Sequence, residues 1–176
     1  MEFRDVVLGR RSVRTFKNEK IPKELLGEIL MLGCWAPSAL NSQPWRFIVA
    51  DDAEVKKRVR TAYDAARERV NLYAQDSSFL ECGTLVLALC NKKSPKSELS
   101  TALACENMML AATDAGLGSV IMTCLLDDVG VSELLRIFSV PNGFTPLALM
   151  AFGYPAESPT PKQRKPEAET VSYNRF

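Results

Sequence analysis

Histidine is absent from this chain. That removes the commonest general base, the commonest metal ligand and every Ser–His or Cys–His nucleophile. Carboxylate or lysine chemistry stays open, but an enzyme built on this sequence more naturally draws its reactivity from a bound cofactor. Excess charge is missing too. The 22 Lys and Arg against 21 Asp and Glu leave a net charge of +1, which gives no electrostatic case for nucleic acid or a membrane surface as partner. No apolar run approaches the roughly 20 residues a membrane-spanning helix needs. The start, Met1-Glu2-Phe3-Arg4-Asp5, lacks the apolar core of an export signal, so a cytoplasmic protein is expected. There is no Gly-rich phosphate cradle either. Gly116-Leu117-Gly118 is too short, and it follows a helical pattern where a dinucleotide fingerprint must follow a strand. The five cysteines (34, 82, 90, 105 and 124) are odd in number and set in apolar contexts. They read as reduced, buried thiols and not as a disulfide framework or a metal site.

What is present is a chain of 176 residues, 47% hydrophobic and 24% charged, enough for one domain with a real core. The stretch Ala36-Pro37-Ser38-Ala39-Leu40-Asn41-Ser42-Gln43-Pro44 joins a helical pattern to a short strand, Trp45 to Val49. Prolines at both ends preset its shape, and the small and amide residues between them suit a loop that faces a ligand. An ordinary helix-to-strand connection has the same look.

Helices are expected over residues 2–9, amphipathic with Phe3, Val6 and Val7 at helical spacing, from Pro22 to Trp35, and from Asp51 to about Ala74. A further helix over 98–115 is apolar almost all round and therefore central, and a short one covers 131–138. Buried strands are expected at 84–90, 119–123 and 145–152. Residues 1–152 read as the core. Residues 153–176, with four of the ten prolines, read as an extended arm of the same domain. In polyproline-like form that arm reaches on the order of 70 Å, against a domain radius of gyration of roughly 16 Å. Its end, Val171 to Phe176, alternates as an added strand would, and it carries a basic knot, Lys162-Gln163-Arg164-Lys165.

Arg10, Arg11 and Arg14 lie within five residues, with Ser12 among them. Arginine forks match phosphate oxygens and a serine hydroxyl adds a neutral donor, so these residues are a candidate phosphate grip. They read equally as a solvated basic turn. Glu106-Asn107, in the most apolar helix, needs partners there, either locally or on another helix or subunit.

Taken together, these pieces resemble the nitroreductase family of FMN-dependent oxidoreductases. The matching motifs are Arg10-Arg11-Ser12-Val13-Arg14, the Pro37–Trp45 loop, Glu106-Asn107, Gly116-Leu117-Gly118-Ser119 and Gly153-Tyr154-Pro155-Ala156. The resemblance implies an α+β fold with a mixed, mostly antiparallel sheet flanked by helices, and a homodimer that exchanges its C-terminal arm. It implies FMN at each subunit interface, reduced by NADH or NADPH and reoxidised by a nitroaromatic, quinone or similar small-molecule acceptor in ping-pong fashion. Arg10, Ser12 and Arg14 would hold the phosphate and ribityl chain, with Arg11 close by and Lys162 and Arg164 completing the site. Pro37, Ser38 and Asn41 would reach the flavin from the partner subunit. Where the family has a small pair approaching the flavin, this chain has Thr123-Cys124, which narrows the face where substrate stacks. The absence of a long insertion before Thr84 weighs against a specialised flavoenzyme of the same fold, such as a dehalogenase or a flavin-consuming type. A non-catalytic flavin-binding protein is the remaining alternative.

Overall fold

The computed structural model of the chain describes residues 1–69, 76–123 and 127–176. A four-stranded antiparallel sheet forms the middle layer, ordered β1 (Trp45–Ala50), β2 (Thr84–Asn91), β4 (Phe144–Gly153), β3 (Gly118–Met122). Leu85, Leu87 and Leu89 of β2 face one side, and Val86 and Ala88 face the other. Both sides are covered, as a strand that is apolar at every position requires. The first side packs on α3 (Ala53–Arg69), α4 (Phe79–Cys82) and α6 (Asp128–Ile137). The second packs on α2 (Lys23–Gly33) and α5 (Ser97–Asp114). The register slips between Ala88 and Leu89, opposite Pro146. Proline has no N–H for the ladder, so a bulge is the place in a central strand that accepts it.

The strands expected at 45–49, 84–90, 119–123 and 145–152 are present, whereas residues 171–176 form no strand within the chain. Among the described residues every strand pair is antiparallel, and the one parallel contact is an isolated bridge between Ser12 and Ser119. Helix α5 is central as expected and meets both β2 and β3. Gly33 lets α2 approach it closely: a Cβ there would fall 2.5 Å from Met108 atoms and 3.1 Å from the Ala104 carbonyl. The first helix, α1 (Phe3–Gly9), forms where it was expected. Val6 is buried, but Phe3 is 75% exposed and Val7 also faces outward. Pro22 caps α2 from just outside it. The expected helix end near Ala74 lies outside the described residues. Cys90 and Cys105 are buried, and burial pushes the Cys105 thiol up to about 12. Past Gly153 the arm is extended and exposed, apart from a single turn at Glu167–Glu169. Among the described residues no helix is long and apolar enough to cross a membrane.

Gly118 shows how the sheet and the N-terminal segment depend on each other, since a Cβ there would meet three Val13 atoms at 2.8–2.9 Å. Gly118→Ala is expected to destabilise the fold by about 1–3 kcal/mol, read as a melting temperature lowered by several degrees. An unchanged melting curve would show that Val13 has room to move.

Candidate functional site

The segment from Arg10 to Phe16 has two anchors and four outward groups. Val13 and Phe16 are buried. Val13 lies on Gly118 and donates its N–H to the Ser119 carbonyl at 3.0 Å. Phe16 packs edge-on against Phe79 with ring centroids 6.4 Å apart. With both anchored, Arg10, Arg11, Ser12 and Arg14 are left to face outward.

The same segment returns the tail to them. Lys17 N–H donates to the Tyr154 carbonyl at 2.8 Å, and Ala156 N–H donates to Thr15 at 2.9 Å. The Arg14 N–H donates to Glu157 Oε1 at 3.0 Å. As a result Arg10, Arg11, Ser12, Arg14, Lys162 and Arg164 line one cavity of about 230 Å³, together with Pro159 and Thr160. Two clusters 150 residues apart in the chain are thus one site in space.

Charge in this cavity is unbalanced. The cluster's one ion pair among the described residues joins Arg10 Nε to Glu106 Oε1 at 3.5 Å. That contact and the bond from Asn107 Nδ2 to the Leu32 carbonyl at 3.4 Å partner the polar pair of α5 across helices. Arg11 Nη1 caps the end of α1, donating to the carbonyls of Leu8 at 2.6 Å and Arg10 at 2.8 Å. Among the described residues its Nε is buried without a partner, as is Oγ of Ser119, the β3 residue bridged to Ser12. Five cations with donors to spare, in a cavity of this size, fit a phosphate monoester.

Loop 37–43 is elsewhere. Pro37, Ser38 and Asn41 line neither this cavity nor its neighbour. Leu40, Asn41 and Gln43 all take left-handed backbone, with φ of 54°, 52° and 42°, strain that clusters at binding sites. Ser38 Oγ holds the turn by accepting from Gln43 N–H at 3.0 Å. Leu40 is 92% exposed. Thr123 is exposed at the end of β3, and Cys124 lies outside the described residues.

A second cavity of about 660 Å³ adjoins the first. It shares Ser12, Arg14, Pro159, Thr160 and Lys162 and adds Thr15, Pro161, Asp76 and Glu157. The sequence did not point to these acids. Pro159-Thr160-Pro161, whose prolines preset an extended path, carried a signal that the basic knot overshadowed.

Residues 7–154 match the nitroreductase family. The chain is 32% identical to the iodotyrosine deiodinase of Thermotoga neapolitana, over 98% of this chain and 97% of that one. Among solved structures it resembles an oxidised iodotyrosine deiodinase bound to FMN and 3-iodo-L-tyrosine, with 28% identity, a TM-score of 0.89 and coverage of 99% and 100% of the two chains. It also resembles a nitroreductase with bound FMN from Bacteroides fragilis, with 26% identity, a TM-score of 0.80 and coverage of 99% and 100%. An N-terminal arginine segment seated on the β3 edge, a tail that returns to it and a match over most of the length agree: the chain belongs to the nitroreductase family.

Proposed function

We propose that this protein is an FMN-dependent oxidoreductase that passes electrons from NADH or NADPH to electron-poor small molecules such as nitroaromatics and quinones. The observation that carries the reading is the cavity where Arg10, Arg11, Ser12, Arg14, Lys162 and Arg164 converge. Bound FMN supplies the hydride chemistry. The chain's own residues grip the phosphate, orient the isoalloxazine and bound the face that donor and acceptor use in turn. Arg10 is aimed by Glu106, Arg11 by the end of α1, and Arg14 by the Glu157 contact to its backbone. Thr123, exposed just past β3, bounds the face where donor and acceptor stack.

The working form is a homodimer. Phe3 and Leu8 of α1, Met31 and Trp35 at the end of α2, Leu40 of the loop and Leu99 of α5 are all exposed. Helices α1 and α2 both pack on α5, so these side chains form an apolar face of the kind a second subunit covers. Such a partner would bring its Pro37, Ser38 and Asn41 to the flavin. The arm crosses to the other subunit. Residues 12–13 already sit on the outer edge of β3, whereas β1 has no outer neighbour among the described residues. Residues 171–176 of the partner therefore add to β1 and cover its edge.

A second reading is reductive dehalogenation of a halogenated tyrosine. It is favoured by a deiodinase relative that matches end to end at 32% identity. The shortness of the chain does not weigh against this reading, because that relative is covered over 97% of its own length.

Purified protein is expected to take up FMN at about 1:1 per chain, visible in the absorption spectrum. Arg14→Ala should weaken it about ten- to a hundredfold; affinity within twofold of wild type would make Arg14 a bystander. Double-reciprocal plots with NAD(P)H and a nitroaromatic should be parallel. Intersecting lines would contradict a shared face. Iodide release from 3-iodo-L-tyrosine by dithionite-reduced protein, without NAD(P)H turnover of nitroaromatics, would favour the second reading. Removal of residues 154–176 should leave sedimentation of a monomer without flavin, and an intact flavin-bearing dimer would refute the arm exchange.

A further inference from the structure

The second cavity carries two carboxylates beside a basic cluster suited to an anion. Asp76 and Glu157 line it together with Ser12, Arg14, Thr15 and Lys162. Negative charge at this place opposes phosphate binding unless it faces groups that donate hydrogen bonds.

Both acids are held in position. Glu157 Oε1 accepts from Arg14 N–H, and Oε2 has no partner among the described residues. Asp76 accepts from Ser78 N–H at 2.9 Å and from Ser78 Oγ at 2.5 Å. The Ser78 hydroxyl, followed by its N–H, holds the Asp76 carboxyl below the usual carboxylate range. Segment 76–78 is tied in turn to α3, because Arg60 Nε donates to Ser77 Oγ and Ser77 Oγ donates to Asp64 Oδ2, each at 3.0 Å. Each carboxylate oxygen has two acceptor positions, so both acids keep capacity toward the cavity.

FMN joins its phosphate directly to a ribityl chain with three hydroxyl donors. With the phosphate in the smaller cavity, the next part of the molecule is a polyol, and the adjoining cavity has acceptors. On the FMN reading above, we propose that Asp76 and Glu157 are flavin-binding residues that accept hydrogen bonds from the ribityl hydroxyls. They give the site affinity for the sugar-alcohol part of the cofactor that does not depend on its phosphate.

Riboflavin, which has the ribityl chain without the phosphate, isolates that contribution. Binding of FMN and of riboflavin is followed by quenching of flavin fluorescence for wild type, Asp76→Ala, Asp76→Asn and Glu157→Gln. The last keeps an acceptor for Arg14 N–H. Asp76→Ala should weaken both flavins by a similar factor, about tenfold. Asp76→Asn, which keeps a carbonyl acceptor, should recover part of that loss, and Glu157→Gln should weaken both less than Asp76→Ala. If the carboxylates merely repel phosphate, both neutral variants will bind FMN more tightly and leave riboflavin unchanged, which overturns the proposal. Unchanged binding of both flavins overturns it as well. Wild-type protein that binds neither flavin would defeat the FMN reading itself.

Discussion

The site depends on a steric fit between two side chains and three glycines. Val13 lies against Gly118 and Phe16 against Gly153 at distances that leave no room for a Cβ, and Phe16 lies against Gly83 where a Cβ would be tight. Residues 10–16 would otherwise be a loosely held basic strip. Seated in this notch, with Val13 N–H bonded to β3 and Lys17 N–H bonded to Tyr154, the strip has a fixed direction. The return of the tail follows, because the contacts that fix Phe16 also fix residues 154–156. Packing therefore sets the electrostatics here: buried apolar anchors decide where exposed cations point.

The cations resist being assembled. Like charges a few ångströms apart repel by about 1 kcal/mol in water and several times that near a protein surface. Only Arg10 has a carboxylate within ion-pair distance, among the described residues. A bound dianion relieves that repulsion. It would stabilise the fold through binding to the native state alone, and it would order the exposed tail by engaging Lys162 and Arg164.

Much of this was legible in the sequence, and the parts that were not share a cause. The strands could be read because apolar runs such as Leu85 to Leu89 have few other uses in a soluble chain, and the arginine cluster because charge density is local in sequence. Asp76 and Glu157 could not. Nothing near either acid in the chain signals a cavity, and their meaning comes from Arg14, which lies 62 and 143 positions away. The left-handed backbone at Leu40 was equally hidden, since a leucine has no local reason to adopt it. The apolar pattern of α1 was legible, but not what covers it. Periodicity identifies an apolar stripe; it does not say which body covers it, and for Phe3 that body is not this chain's own core.

Two features left unresolved within the single chain have a common explanation. Three left-handed residues in loop 38–43, Leu40, Asn41 and Gln43, cost free energy, against which the chain sets the bond from Gln43 N–H to Ser38 Oγ and weak bonds from Gln43 to Asn41. The exposed side chains of α1, α2, the loop and α5 leave apolar area in water. Both costs fall on one helical layer, the one built on α5, and both are offset together if a second subunit covers that layer. A ligand alone would not do this, because loop 37–43 lines neither cavity of its own chain. The arginine-lined cavity is built by one chain alone, whereas loop 37–43 of that chain lies away from it. In the proposed dimer that division has a consequence for stability. Cofactor binding and subunit association become linked, since whatever seats the flavin against the partner's loop also strengthens the interface.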